Sequence, residues 1–318
     1  MKKYVSLMLA LALALCAFPA FAAGSVRVAA LKGPTAMGMV KMMSDDAGAA
    51  YDFSIHAAAD EITPKLIQGQ IDIAALPANL ASVLYNRTEG KLQVIAVNTL
   101  GVLYIAERGE SVQTVEDLRG RTIYSAGKGS TPEYALNYIL SANGLDPQKD
   151  VTIEYKSEHA ECLAAILNDA SAVAMLPQPF ITTAMGKAAD MRIALDLTEE
   201  WDKLQDEGGS SMITGVVVAR SAFVQENPQA VNAFLEAYAA SVEYTNADVA
   251  GAAKLVGEYG IVTAEVAEKA IPYCNICCIS GVAMTEKLSG YLEVLHAQNP
   301  ESVGGKLPDA QFYYNPEA

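Results

Sequence analysis

Small polar residues that follow a glycine recur after two predicted strands, where they could bind a ligand. The sequence Gly-Pro-Thr stands at 33–35 and Gly-Ser-Thr at 129–131. Helices are predicted to begin there, over 35–47 and 131–143. Backbone N–H groups in the first turn of a helix carry partial positive charge and lack intrahelical partners, so they bind anions or polar oxygens. These turns therefore predict recognition of a polar group, to which Lys128 could add a point charge.

Each copy of this pattern closes with a second apolar strand that ends in Leu-Pro, at 71–77 and at 172–177. The recurrence predicts two similar α/β lobes whose strand ends face each other across a cleft. Because four turns would meet there, we expect one shared binding site. The candidate ligand-binding residues are Gly33, Thr35, Ala36, Asn79, Tyr104, Lys128, Ser130, Thr131, Gln178, Phe180 and Thr214.

Alternatives stay open for five of these residues. Thr35 and Thr131 could be helix caps alone, and Lys128 could be a solvated loop lysine. Tyr104 and Phe180 could stack on a ligand ring or belong to the core.

Signatures of catalysis are scarce. The three histidines lack metal-ligand spacing, and the motifs of serine hydrolases, zinc proteases and calcium loops are absent. His159 follows a strand near the predicted cleft, as either a ligand contact or a solvated helix start. Glu158 or Glu161 could act as a general base, but no partner constellation accompanies them. We therefore predict no catalytic residue, no metal and no cofactor.

Four cysteines follow the first 22 residues of the chain: Cys162, Cys274, Cys277 and Cys278. A structural zinc needs four ligands, and no Cys or His pair stands at suitable spacing beside Cys-x-x-Cys. We expect a buried or partly oxidised structural cluster, since an oxidising compartment would permit a disulfide.

The N-terminus predicts export. A basic start, an apolar run too short to span a bilayer and Ala-x-Ala at 20–22 indicate a signal peptide over residues 1–22. Cys16 lies in a partial lipoprotein signal, and a lipid anchor there is the alternative. Both place the protein in the periplasm or on the outer face of the cytoplasmic membrane. The net charge of −15 disfavours nucleic acid and anionic lipid as partners.

Short strands and helices alternate through most of the chain, and its C-terminal third is mainly helical. This predicts an α/β protein in which each lobe has a mixed, mostly parallel sheet flanked by helices. Segments near 104–106 and 213–217 would cross between the lobes as a two-stranded hinge. We expect residues 23–104 and 217–318 in lobe I and residues 105–216 in lobe II.

Three segments together resemble one known family. The first is Gly-Gln-Ile-Asp at 69–72. The second, at 114–123, is a short helix followed by Leu-Arg-Gly and a strand. The third, at 163–180, is a helix and a strand followed by Leu-Pro-Gln-Pro-Phe. They resemble the solute-binding proteins of ATP-binding-cassette (ABC) importers for nitrate, sulfonates, taurine and thiamine precursors. The resemblance covers essentially the whole chain after the leader. It implies a two-lobed periplasmic-binding fold of type II that closes on a small molecule and delivers it to an ABC permease in the membrane, as a monomer.

This resemblance identifies the family but not the class of ligand. Taurine and sulfonate binders commonly offer an arginine or several polar side chains at the cleft turns, whereas the turns at 33–36 and 77–79 are mostly apolar. Helix N-termini with Lys128 as the one basic candidate favour a small organic ligand that is neutral or singly anionic. A ligand-sensing subunit of a membrane receptor and an exported enzyme are the alternative functions.

Overall fold

The computed structural model describes residues 25–205 and 210–315, which form two β-sheets flanked by helices. The predicted signal peptide and Cys16 lie outside the described residues. None of the helices in the described part is long and apolar enough to cross a bilayer.

In the described part of the chain, eleven strands make up the two sheets. In chain order they are β1 (Val26–Leu31), β2 (Tyr51–His56), β3 (Ile73–Pro77), β4 (Leu92–Leu100), β5 (Leu103–Arg108), β6 (Thr122–Ser125), β7 (Thr152–Tyr155), β8 (Val173–Pro177), β9 (Met191–Asp196), β10 (Ile213–Arg220) and β11 (Ile276–Ile279). The first sheet has the order β11-β4-β10-β3-β1-β2, and the second has the order β7-β6-β8-β5-β9.

The two sheets share one topology once the edge strand β11 is set aside. In the first sheet, β1 lies between its parallel neighbours β2 and β3, and the antiparallel strand β10 lies between β3 and β4. In the second sheet, β6 lies between its parallel neighbours β7 and β8, and the antiparallel strand β5 lies between β8 and β9. The strands that end in Leu-Pro are β3 and β8. Four residues of β3 and four of β8 are buried, because helices cover both faces of these parallel strands. The predicted pair of similar, mostly parallel α/β lobes of type II is confirmed.

Within the described residues, thirteen α-helices cover these sheets. They are α1 (Pro34–Met37), α2 (Val40–Asp46), α3 (Thr63–Ile67), α4 (Ala78–Arg87), α5 (Thr131–Ala142), α6 (His159–Asn168), α7 (Phe180–Lys187), α8 (Leu197–Asp202), α9 (Ser221–Glu226), α10 (Pro228–Ala247), α11 (Val249–Glu258), α12 (Ala264–Ala270) and α13 (Gly281–Gln298). The predicted helix over 35–47 is two helices instead, α1 and α2. The break lies at Gly38, where a Cβ atom would come within 2.9 Å of Ile276 and 3.0 Å of the Tyr238 hydroxyl.

The chain passes between the sheets twice. Gly101 and Val102 join β4 to β5, and α8 lies on the return path from β9 to β10. The two passages touch, since a side chain at Gly101 would collide with Thr198 and Met212 of the return path. The predicted crossing segments, 104–106 and 213–217, lie inside β5 and β10, directly beside these passages. The exact residue limits of the lobes stay a prediction.

The cysteine motif forms part of the edge strand β11. Consecutive strand residues point to opposite faces, and Cys277 and Cys278 accordingly pack against different apolar clusters. The buried Cys274 thiol lies 4.0 Å from the Met37 sulfur. All four cysteines of the described residues are free thiols, and no group of three or more His, Cys, Asp or Glu side chains there is arranged to hold a metal ion. Cys274, Cys277 and Cys278 are thus a buried to half-buried group beside the sheet edge, and Cys162 lies apart from them in the second lobe.

Candidate functional site

A cavity of about 340 Å³ lies between the two sheets, where the starts of helices from both lobes converge. The first lobe contributes the start of α1 and the ends of β1, β3 and β4, and the second contributes the starts of α5, α6 and α7. This is the cleft that the repeated turns predict. Its lining residues are Leu31, Lys32, Gly33, Pro34, Thr35, Pro77, Thr99, Val102, Leu103, Gly127, Ser130, Thr131, Pro132, His159, Pro177, Gln178, Pro179, Phe180, Thr214, Ile261 and Val262.

The structure brings most of the candidate residues together in this cleft. Those that line it are Gly33, Thr35, Ser130, Thr131, Gln178, Phe180 and Thr214. The remaining candidates, Ala36, Asn79, Tyr104 and Lys128, lie elsewhere. Contact of any of them with a ligand remains a prediction.

Three of these outlying candidates are buried behind the cleft wall. Ala36 packs in the core of the first lobe. The Asn79 amide donates to the carbonyl of Ser302 at 3.2 Å, and its oxygen accepts from Thr131. Tyr104 is buried, and its hydroxyl donates to the carbonyl of Tyr273 at 2.9 Å. These contacts give Asn79 and Tyr104 roles in joining the lobes.

Lys128 lies in a different place from the cleft. It lines an open groove of about 940 Å³ beside α5 and β7, where its ammonium lies 5.5 Å from the ring centre of Tyr155. A cation over an aromatic ring is a stabilising contact of the second lobe itself. The groove is larger than the cleft, but it is open, and α5 and β7 line it together with Gln298 and Asn299 of the first lobe.

The hydroxyl groups at the predicted turns are already engaged. Thr35 donates to the carbonyl of Leu31 at 2.8 Å, and Ser130 donates to that of Gly127 at 2.7 Å. The N-cap positions belong to Gly33 and Ser130, not to the threonines. The alternative of Thr35 and Thr131 as helix caps is therefore wrong.

Four other polar atoms of the cleft are buried and have no hydrogen-bond partner among the described residues. They are Thr99 Oγ1, His159 Nδ1, Gln178 Nε2 and Thr214 Oγ1. An unpaired buried polar group costs about 1–3 kcal/mol, so native proteins retain few of them without a purpose. Four at one cavity indicate a place where a bound molecule completes the hydrogen bonds.

Gln178 is held so that its amide nitrogen is the free end. Its backbone N–H donates to the carbonyl of Val102 at 3.0 Å, and its side-chain oxygen accepts from the Thr182 hydroxyl at 2.8 Å. The residue is 1 % exposed. The amide is therefore fixed in the cleft wall with its nitrogen unpartnered among the described residues.

His159 begins α6 and lies in the cleft wall, so it is not a solvated helix start, while its contact with a ligand remains a prediction. Its ring lies 5.3 Å from that of Phe180, centre to centre. Burial lowers the pKa of His159 from 6.5 to about 4, so the imidazole is neutral at pH 7. It can then donate from one nitrogen and accept at the other.

Sequence reasoning did not select Lys32, Thr99, Ile261 or Val262. Thr99 lies inside a long apolar strand, and Ile261 and Val262 follow α11 far along the chain, so no local signal marks them. Lys32 is exposed, and it is the one charged side chain at pH 7 among the described residues that line the cleft. The interior is thus uncharged and largely apolar.

Two lobes of one topology, joined by two adjacent passages and enclosing a largely apolar cavity with unpartnered polar atoms in its wall, define a substrate-binding protein of the periplasmic type. More particularly, residues 36–265 match the family described as "ABC transporter, phosphonate, periplasmic substrate-binding protein", and the chain belongs to that family.

Solved structures agree in fold. An ABC transporter protein from Parabacteroides distasonis is 24% identical, with a TM-score of 0.78 over 92% of this chain and 99% of that one. The periplasmic aliphatic sulphonate binding protein SsuA from Escherichia coli is 16% identical, with a TM-score of 0.75 over 93% of each chain. The periplasmic nitrate-binding protein NrtA from Synechocystis PCC 6803 is 15% identical, with a TM-score of 0.57 over 77% of this chain and 69% of that one. Comparison with curated protein sequences gives no match.

Membership of this family settles the functional class. The chain is the extracytoplasmic substrate-binding component of an ABC transporter, with a small-molecule ligand and a membrane permease as partners. It is a transport component and not an enzyme.

Proposed function

We propose that the cleft binds one small organic molecule, neutral or singly anionic, and delivers it to the permease of an ABC importer. The observation that carries this proposal is the set of four buried, unpartnered polar atoms around a largely apolar cavity. A ligand that pairs with these atoms and covers the apolar wall gains both hydrogen bonds and hydrophobic contact.

The absence of buried positive side chains from the described lining of the cavity favours an organic ligand over a free inorganic anion. His159 is neutral at pH 7 and Lys32 is exposed, so no buried cation faces the cavity from its described lining. The starts of α5, α6 and α7 still supply partial positive charge to a single anionic group. A compact divalent anion would leave the apolar wall of Phe180, Leu103 and Val262 uncovered.

The volume of the cavity and the descriptions of similar proteins also favour a small organic ligand. A volume of about 340 Å³ lies near the lower end of the range for small-molecule sites. The matched family is described by phosphonate, and SsuA from Escherichia coli by aliphatic sulphonate. Both names describe organic molecules with one acidic head and a carbon-bound remainder.

We also propose that the protein is exported and acts alone. Residues 1–22 act as a signal peptide that is cleaved, with a lipid anchor on Cys16 as the alternative. The mature protein works as a monomer that closes on its ligand.

A thermal-shift panel tests the ligand class. Inorganic phosphate, sulfate and nitrate are compared with alkyl phosphonates, alkyl sulfonates, aromatic acids and amino-pyrimidines. We expect stabilisation by at least one organic class, abolished by Gln178→Leu and kept by Thr88→Val, which changes a residue at the end of α4 outside the cleft. Stabilisation by an inorganic anion alone would refute the proposed ligand class.

A further inference from the structure

The unpartnered polar atoms of the cleft fall into two pairs, one from each lobe. Thr99 and Thr214 belong to β4 and β10, which are paired strands of the first sheet with Thr99 opposite Gly215. Thr99 is fully buried. Both residues line the cavity from the first lobe, with their hydroxyls unpartnered among the described residues, and we call them the threonine pair.

The second pair consists of Gln178 and His159, at the starts of α7 and α6 in the other lobe. Gln178 offers a fixed N–H donor because Thr182 occupies its oxygen. His159 packs against Phe180. These two residues line the cavity from the second lobe, and we call them the amide–imidazole pair.

Apolar side chains line the rest of the cavity. Leu103, Val102, Phe180, Ile261 and Val262 contribute to the wall, together with several prolines. A carbon segment is favoured beside them, because a polar group would lose its water there without finding a partner.

No carboxylate is among the described residues that line the cleft. An ammonium group buried at the threonine pair would have no opposite charge to offset its lost hydration. A hydroxyl or amide group, in contrast, would pair with the two threonine hydroxyls without any charge to compensate.

We propose that the ligand has a polar head bound by the amide–imidazole pair and, beyond a short carbon segment, an uncharged hydrogen-bonding group, bound by the threonine pair. This rests on the proposed function, and it narrows the ligand to bifunctional molecules whose far end is a hydroxyl or amide and not an ammonium. Thr99 and Thr214 are then the residues that determine specificity at that end.

Matched triplets of compounds test the inference. Each triplet shares a head and differs only at the far end, as in propanesulfonate, 3-hydroxypropanesulfonate and 3-aminopropanesulfonate, with the corresponding phosphonates and carboxylates. Calorimetry should show the hydroxyl member binding about tenfold more tightly than the alkyl member, because the alkyl member leaves the threonine hydroxyls unpaired. The amino member should bind more weakly than the hydroxyl member in every triplet.

The double variant Thr99→Val and Thr214→Val should remove the preference for the hydroxyl member and leave affinity for the alkyl member within about threefold. Thr88→Val is the matched control, since Thr88 donates to the carbonyl of Leu84 at the far end of α4. Melting curves of both variants verify folding.

Equal or tighter binding of the alkyl member, or tightest binding of the amino member, would overturn the inference. It would also fail if no triplet member bound while the wider panel yielded a ligand without a second uncharged polar group. In those cases the protein still binds an organic molecule and the proposed function stands. Absence of binding by every organic compound in both sets would remove the proposed function as well.

Discussion

The Thr131 hydroxyl donates a hydrogen bond of 3.3 Å to the side-chain oxygen of Asn79, and this contact joins the two lobes beside the cleft. Both residues are buried. Asn79 is itself held by the Ser302 carbonyl. The contact therefore stabilises this arrangement of the lobes without requiring that either side chain touch the ligand.

Replacing Thr131 with Val should weaken ligand binding through closure. A typical hydrogen bond contributes about 0.5–1.5 kcal/mol, which corresponds to a roughly 2- to 12-fold rise in Kd. Calorimetry with a ligand from the panel measures the change. Thr88→Val, far from the lobe boundary, should leave Kd unaltered, and an unchanged Kd for Thr131→Val would show that this bond does not contribute to closure.

Trp201 should report lobe movement by fluorescence. It is the single tryptophan of the chain, and its ring lies 4.6 Å from Tyr138 of α5 and 5.5 Å from Tyr291 of α13, between ring centres. Because these helices belong to different lobes, closure changes the surroundings of the indole. We expect its emission to shift during ligand titration, in step with compaction in small-angle scattering, and Trp201→Phe to remove the signal. Compaction with constant tryptophan emission would contradict this assignment.

Acid should destabilise the protein partly through His159. Its pKa is about 4 in the folded state against 6.5 ordinarily, so the unfolded chain binds more protons between these values. Consequently the free energy of unfolding falls as pH drops from 6.5 towards 4. Urea unfolding at pH 7 and pH 4.5 should show a smaller loss for His159→Gln than for the native chain. His296→Gln, on α13 away from the cleft, is the control, and equal losses in all three proteins would exclude this role for His159.

Gly215→Ala should disturb both stability and the site. A Cβ atom there would lie 2.5 Å from Asn98 Oδ1 and 2.9 Å from the Thr35 methyl group. Crowding of this kind costs about 1–3 kcal/mol. The matched control is Gly186→Ala in α7, where nothing lies within 4 Å of the added atom and the helix gains up to about 1 kcal/mol. Unfolding curves in urea compare the two, and equal stability of both variants would refute the close approach at Gly215.

The repeated strand, turn and helix patterns could be found in the sequence because each is local. Thr131 and Gln178 stand directly at such turns, which is why the sequence places them at the cleft. The strand β11 was missed, because Ile-Cys-Cys-Ile is too short to show alternation and pairs with β4 at a distance of about 180 residues along the chain.

Other features depend on three-dimensional neighbours. Thr99 lies near the end of β4, and the pairing of β4 with β10 brings it to the cleft. Whether His159 faces solvent or cavity depends on Phe180, which lies on another helix. Lys128 stands beside the predicted turn, but its ammonium packs over the Tyr155 ring, in a groove separate from the cleft.

The place of β10 in the first sheet has a consequence for how the chain folds during synthesis. This strand lies between β3 and β4, yet it is made after the whole second sheet. In the second sheet the corresponding strand, β5, is the first to be made. The second lobe can therefore assemble from consecutive residues, whereas β4 has no neighbour in the first sheet until residues 213–220 have been translated. We infer that the inserted lobe matures first and that the lobe which contains the N-terminus is completed last.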